Sequence, residues 1–131
     1  MSTHRYIDAS DIKANVAKGF ELEEYIEEAN DEVEDVAQQV GVYDPDDIEI
    51  NPLHYKIKRY AVSFCIMRLC QDKIGTNNVD IAELDKYMIQ YNLYKKEYEK
   101  LRTEITIEMV TGNINEIRDR ASVSSGWIFR G

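Results

Sequence analysis

The sequence predicts an all-α fold: a small bundle of about four helices around a central apolar helix, with an extended C-terminal tail. Three observations carry this prediction. The most apolar run, Tyr60–Cys70, lies in a stretch that holds neither Gly nor Pro between Pro52 and Gly75. Two further stretches, residues 21–40 and 80–111, repeat apolar side chains at steps of three and four, which is the period of an α-helix.

The central helix is predicted over residues 53–73, and its apolar side chains cover most of its circumference. A helix that is apolar nearly all round is surrounded on several sides. Cys65 and Cys70 lie about 140° apart around its axis, which is a poor geometry for a disulfide. They are predicted to be small core residues of a protein in a reducing compartment.

The segment before the central helix is predicted to hold two helices. A short helix is capped by Asp8 or Ser10 and ends at Gly19. Residues 21–40 then form an amphipathic helix with one apolar face. Its other face carries nine acids and no base: Glu21, Glu23, Glu24, Glu27, Glu28, Asp31, Glu32, Glu34 and Asp35. Because acids in the later turns repel each other, either solvent exposure or a basic partner must account for them.

The last predicted helix, residues 80–111, is the longest. At 1.5 Å per residue it would span roughly 45 Å, so part of it is expected to project or to meet another subunit. Four tyrosines recur along one side of it, at Tyr87, Tyr91, Tyr94 and Tyr98. Two interpretations stay open: packing within the chain with the hydroxyls at the water line, or a helix–helix contact with another protein, since Tyr is enriched in such interfaces.

The chain divides into a helical domain, residues 1–115, and a flexible tail, residues 116–131. The apolar end of the tail consists of Trp127, Ile128, Phe129 and Arg130. This cluster either folds back onto its own domain or docks on a partner, with the aromatic rings as anchors and the arginine as a charged contact. The Ser124-Ser125-Gly126 sequence just before it is typical of a flexible linker, which favours docking on a partner.

The formal net charge of −9 is unevenly distributed. Residues 1–50 hold 15 acids and 3 bases, whereas residues 51–131 hold 10 acids and 13 bases. A sequence-specific nucleic-acid reader is not expected, because neutralising phosphates requires a basic face. No apolar stretch reaches 18 residues and the first residues lack an apolar signal core, so a cytosolic protein without a membrane contact is predicted.

The sequence contains few residues that could act as catalytic groups. His4 and His54 are the only histidines, and both are predicted to be surface residues. A carboxylate-bridged metal centre requires Glu-x-x-His pairs, but Met1 and Asn51 occupy the positions three residues before the histidines. No phosphate-binding loop, nucleophile elbow or Cys-x-x-Cys pair occurs. The prediction is therefore a protein without a catalytic site, metal or cofactor.

The order of these elements resembles that of the head–tail connector proteins of tailed bacteriophages, also called adaptor or head-completion proteins. The similarity covers about residues 5–115 as a spaced pattern. Its pieces are Tyr6-Ile7-Asp8 before a short helix, the segment around Ala29 and Val33, Pro52-Leu53 before Tyr60-Ala61, and the long helix with Tyr91, Tyr94, Tyr98, Leu101 and Ile105 that stops at Gly112-Asn113-Ile114.

This resemblance implies a structural virion protein that forms a homo-oligomeric ring, a dodecamer, beneath the portal protein. The ring would prolong the DNA channel, let DNA pass without specific binding, and offer a platform for the stopper or tail-completion protein. Family members use a C-terminal segment to reach the portal, which suits Trp127–Arg130. The location would be the head–tail junction of the virion, and the host cytoplasm during assembly.

The charge distribution suggests which residues would meet between copies. A negative half and a positive half on one chain suit the head-to-tail contact that closes into rings. We expect acids of the second helix either to face the channel or to meet basic residues of the next subunit. The acids are Glu23, Glu27 and Glu34, and the complementary basic face is Lys56, Lys58 and Arg59.

An alternative from another class remains open. The acidic helix is also typical of a small helical regulatory or inhibitory protein that imitates DNA toward a basic enzyme. This alternative predicts a one-to-one complex with its partner and no role for the tail. The connector interpretation predicts instead that removal of residues 122–131 abolishes docking.

Overall fold

The fold is all-helical, as the sequence predicts. The computed structural model describes residues 4–75 and 81–112. Its helices are α1 (Glu23–Gln39), α2 (Tyr55–Ile74), α3 (Ile81–Glu104) and α4 (Ile107–Thr111), with 3₁₀ turns at Ala9–Asp11, Asn15–Ala17 and Pro45–Asp47. Helix α2 packs against both α1 and α3, so the predicted central helix is confirmed.

Helix α2 is central because it has apolar side chains on opposite sides. Ala61 and Leu69 belong to the main core with α1, whereas Ile66 and Cys70 pack with Tyr87 of α3 in a second cluster. The helix begins two residues later than predicted, because the Nδ1 atom of His54 caps it by accepting the N–H of Lys56 at 3.1 Å.

Helix α1 forms where the sequence places its apolar stripe. Ile26, Ala29, Val33 and Val36 are almost completely buried, and the acids lie on the remaining surface. One buried position is polar: the Oδ1 atom of Asn30 accepts the N–H groups of Tyr6 at 3.0 Å and Ile7 at 3.2 Å. Asn30 therefore anchors the N-terminal segment to α1.

The N-terminal segment corrects one prediction. Instead of a single short helix from Asp8 to Gly19, the chain forms two separate 3₁₀ turns. Asp8 caps the first turn as predicted, in a reciprocal capping box with Asp11. The chain then extends, so that Val16 and Ala17 in the second turn become buried. Such turns are typical connectors where a segment follows a packed surface.

The long helix also differs from prediction, because it ends at Glu104 instead of Thr111. Thr106 has an extended backbone and its hydroxyl accepts the N–H of Met109, which starts the separate helix α4. The bend directs Ile105 and Val110 into the core. The N–H of Glu49 donates to the carbonyl of Val110 at 2.8 Å, which holds α4 against the loop before α2.

Candidate interaction surfaces

A polar cluster joins the three long helices at their centre. The Oε1 atom of Glu32 on α1 accepts the hydroxyl of Tyr60 on α2 at 2.8 Å and that of Tyr98 on α3 at 2.9 Å. Arg102 on α3 donates to Glu32 and to both hydroxyls. Burial raises the pKa of Tyr60, and its hydrogen bonds with Tyr98 and Glu32 raise it further. This cluster is structural: it uses an acid of α1 to fix the packing of α2 and α3.

The predicted interface acids have different surroundings. Glu23 forms a two-pronged ion pair with Arg5, at 2.9 and 3.2 Å, and this contact lowers the pKa of the carboxyl. Glu34 accepts the hydroxyl of Tyr6 at 2.8 Å. Glu27 forms no ion pair with another residue of the described chain.

Glu24 and Asp31 likewise form no ion pair within residues 4–75 and 81–112. Together with Glu27 they follow one line along α1, at spacings of three and four residues, and neighbours at these spacings share a helix face. We call Glu24, Glu27 and Asp31 the acidic row. None of its carboxylates forms an ion pair within residues 4–75 and 81–112, although Arg5 lies near enough to Glu27 for the two charges to attract each other.

The predicted complementary bases all have partners in their own chain. Lys56 contacts Glu104 at 3.2 Å and Lys58 contacts Asp11 at 3.5 Å. Arg59 pairs with Glu97 of α3. These ion pairs tie α2 to its surroundings.

A groove between α2 and α3 lies beside these bases. It has a volume of about 510 Å³, and its apolar lining residues are Val62, Leu93 and Tyr94. Four bases and two acids also line it: Lys58, Arg59, Lys96, Lys100, Asp11 and Glu97. We call this site the basic groove. Among the described residues, Lys96 and Lys100 have no ion-pair partner, so the groove keeps a positive charge.

The acidic row and the basic groove face different sides of the molecule. Ala61 of α2 is buried in the core with α1, and Arg59 of the groove lies two positions away. Two positions correspond to roughly 160° around a helix axis. The groove therefore opens on the side of α2 that faces away from α1.

The four tyrosines of α3 all contact the rest of this chain. Tyr87 is buried beside Ile66 and Cys70, and Tyr91 and Tyr94 pack against the same cluster. Tyr98 stacks on Tyr60 with ring centroids 5.0 Å apart. The structure thus places these side chains in an intramolecular helix–helix contact.

The opposite face of α3 exposes large apolar side chains. The exposed fractions are 80% for Ile81, 45% for Met88, 65% for Ile89 and 57% for Leu93. Ile81, Met88 and Ile89 lie outside the groove between α2 and α3, whereas Leu93 also lines that groove and marks where the two surfaces meet. We call these four residues the outer stripe of α3. The apolar periodicity of the sequence does not distinguish buried from exposed positions here; only the position of α2 shows which side chains stay uncovered.

The remaining candidate groups offer little chemistry. Cys65 and Cys70 are free thiols and completely buried; burial raises their pKa values to about 12 and about 11. Within residues 4–75 and 81–112, no group of three or more His, Cys, Asp or Glu side chains is arranged to hold a metal ion. In the same part of the chain, no helix is both long and apolar enough to cross a membrane.

The predicted tail anchors Trp127, Ile128, Phe129 and Arg130 lie outside the described residues, as does the whole predicted tail from residue 116. Comparison of the chain with protein families, curated proteins and solved structures found no match.

Proposed function

We propose that this protein is a structural subunit of the head–tail junction of a tailed bacteriophage. Copies of it form a ring between the portal and the stopper or tail, and the ring prolongs the DNA channel. The proposal begins with the sequence resemblance to connector proteins. The observation that supports it best is the placement of unneutralised charge: the acidic row on α1, and the basic groove between α2 and α3 on another side of the molecule.

Charges placed in this way favour a head-to-tail contact. In a two-fold symmetric dimer both subunits use the same surface patch, and the acidic row and the basic groove, which face different sides, could not both lie in it. In a head-to-tail contact the acidic row of one copy meets the basic groove of the next. Repetition of that contact through a closing rotation generates a ring.

The spacing of the charges also fits. Glu27 and Asp31 are four residues apart on α1, and Lys96 and Lys100 are four residues apart on α3. Both separations are about 6 Å along a helix, so two helices lying side by side form two ion pairs at once. Of the acids that the sequence placed at the interface, this arrangement retains Glu27. The bases are now Lys96 and Lys100, because Lys56, Lys58 and Arg59 already have partners in their own chain.

The tail supplies the contact with the portal in this proposal. Trp127 and Phe129 are large apolar anchors of the kind that dominate protein interfaces, and Arg130 adds a charged contact. Acids of the ring that are not used between copies would repel the phosphates of passing DNA, so the duplex would not adhere to the channel.

The first experiment identifies the partners. The protein would be tagged at its N-terminus, purified gently from the cells or virions that naturally contain it, and imaged by negative stain together with what accompanies it. A large portal-type protein and visible rings are expected. The same preparation after removal of residues 122–131 should lack the portal. A single small basic enzyme as the only partner would overturn the connector role.

A charge-swap experiment tests the contact between copies. Lys96→Glu with Lys100→Glu should abolish rings, and so should Glu27→Lys with Asp31→Lys, whereas a mixture of the two variants should associate again. Lys13→Glu with Lys18→Glu is the matched control, since it makes the same change in charge outside the groove. Rings that survive either reversal would contradict this interface while leaving the portal contact to the first experiment.

The second candidate function is a small regulatory protein whose acidic helix binds a basic enzyme. The acidic row favours it, because three aligned carboxylates without an ion pair in the described chain offer a ready surface for a basic partner. It predicts a one-to-one complex that is lost in Glu27→Lys with Asp31→Lys but unaffected by removal of residues 122–131. The response to tail removal therefore separates the two candidates.

A further inference from the structure

The outer stripe of α3 leaves several large apolar side chains uncovered. Met88, Ile89 and Leu93 are each at least 45% exposed and belong to one half of the helix. Contiguous exposed apolar surface of this kind marks a contact with another segment or protein. The chain also contains a second apolar cluster without an assigned place, at residues 127–129.

We propose that the outer stripe of α3 binds the Trp127-Ile128-Phe129 segment of the same chain. The contact is intramolecular and exists in the isolated protein. It needs no portal and no second copy, but Leu93 also lines the basic groove, so in a ring the segment and the next copy would share that edge of α3. Where that role applies, the portal would have to displace the segment from α3.

The segment is long enough to reach the stripe. Gly112, the last described residue, follows α4 at the C-terminal end of α3. From there the distance to Leu93 is at most about 40 Å, whereas the connection to Trp127 spans up to about 50 Å when extended. The segment can therefore reach the stripe without any unfolding of the described chain.

The spacing and direction of the two partners agree. In an extended segment Trp127 and Phe129 lie on the same side, about 6.6 Å apart. Leu93 and Ile89 are separated by about 6 Å along α3. Because the segment arrives from the C-terminal end of α3, it runs antiparallel to the helix, so Trp127 meets Leu93 first and Phe129 then meets Ile89.

The only tryptophan of the chain is Trp127, so intrinsic fluorescence reports on this contact directly. In the full chain, selective excitation should give an emission maximum at shorter wavelength than in the urea-unfolded chain. Ile89→Glu should shift the maximum to longer wavelength and raise acrylamide quenching severalfold. Ile89 is the chosen position because it does not line the basic groove. Ile50→Glu, an equivalent change at another exposed isoleucine, should leave the emission unchanged.

Two further measurements distinguish this contact from unfolding of α3 and from association between copies. Phe129→Ala lies outside the helical domain and should also shift the emission of Trp127, with the far-ultraviolet circular dichroism unchanged. The emission of the wild-type protein should stay constant on 100-fold dilution. A wild-type maximum equal to that of the unfolded chain would overturn the proposal. A shift on dilution would assign the contact to a second copy and overturn it as well.

Discussion

Glu32 of α1 accepts a hydrogen bond from the hydroxyl of Tyr60 of α2 at 2.8 Å, and this pair is the centre of the cluster that joins all three long helices. Tyr60 is completely buried, so its hydroxyl depends on protein partners. One acid of the α1 surface thus stabilises the fold, whereas Glu24, Glu27 and Asp31 on the same helix have no such contact.

Replacement of Glu32 should therefore lower stability more than replacement of its neighbours. Glu32→Ala removes the acceptor of two tyrosine hydroxyls and a partner of Arg102, and loss of such partners reduces the free energy of unfolding by about 1–3 kcal/mol. Glu24→Ala is the control and should change it by less than about 0.5 kcal/mol. Urea denaturation measures both. Equal effects would contradict the structural role of Glu32.

The cap of α2 should make stability depend on pH. Burial lowers the pKa of His54 from 6.5, with a smaller contribution from Lys56. As the pH falls below 6.5, the unfolded chain takes up the proton before the folded chain does, so the free energy of unfolding falls. The stabilisation by the neutral cap is therefore present above pH 6.5 and is lost as the pH passes below the folded-state pKa.

His54→Asn tests this dependence, because an asparagine cap needs no deprotonation. The wild-type protein should lose about 1 kcal/mol relative to the variant on acidification. Denaturation curves at a series of pH values between neutral and mildly acidic measure the difference. Parallel pH profiles for the two proteins would show that His54 does not act as a titrating cap.

The two thiols should be unreactive in the folded protein. Cys65 and Cys70 are fully buried, and burial raises their pKa values to about 12 and about 11, so both stay protonated at neutral pH. Because the thiolate is the reactive form, modification at pH 8 should be slower than in the urea-unfolded chain by a factor on the order of 100 or more. A thiol-specific chromogenic reagent measures both rates. Rapid labelling of the folded chain would place at least one thiol at the surface.

The same thiols should make the free energy of unfolding fall with rising pH in alkaline solution. The unfolded thiol, with its ordinary pKa of 9.0, loses its proton before the folded one. The free energy of unfolding therefore decreases as the pH rises above 9 and continues to fall until the folded thiols titrate.

Two glycines with left-handed backbones offer a matched comparison. Gly112 has φ of +81° and a Cβ there would lie 3.0 Å from the Cγ atom of Glu49, whereas Gly19 has φ of +84° and nothing within 4 Å. Alanine should reduce stability by roughly 1 kcal/mol at both positions because of the backbone, and by more at Gly112 because Glu49 must move. Thermal unfolding measures the difference; an equal effect would show that Glu49 accommodates the methyl group freely.

The sequence predicted the helical class and the central position of α2, because those features follow from local periodicity. The apolar run around Tyr60 has to be surrounded, and the stripe through Ile26 and Val33 has to face a core. The sequence also indicated Asp8 or Ser10 as a cap, and the structure uses Asp8. The sequence did not predict the break at Thr106, since its apolar pattern continues across that residue and only the docking of Ile105 and Val110 determines the bend.

The candidate surfaces show the same division. The sequence by itself determined that this chain would be helical, acidic in its first half and rich in tyrosine along α3. Only the tertiary structure decided which acids and bases neutralise each other, and which remain for a partner. The physical reason is that a helix period specifies a face, whereas ion pairs such as Arg59–Glu97 and hydrogen bonds such as Glu32–Tyr60 depend on distances between residues far apart in the chain.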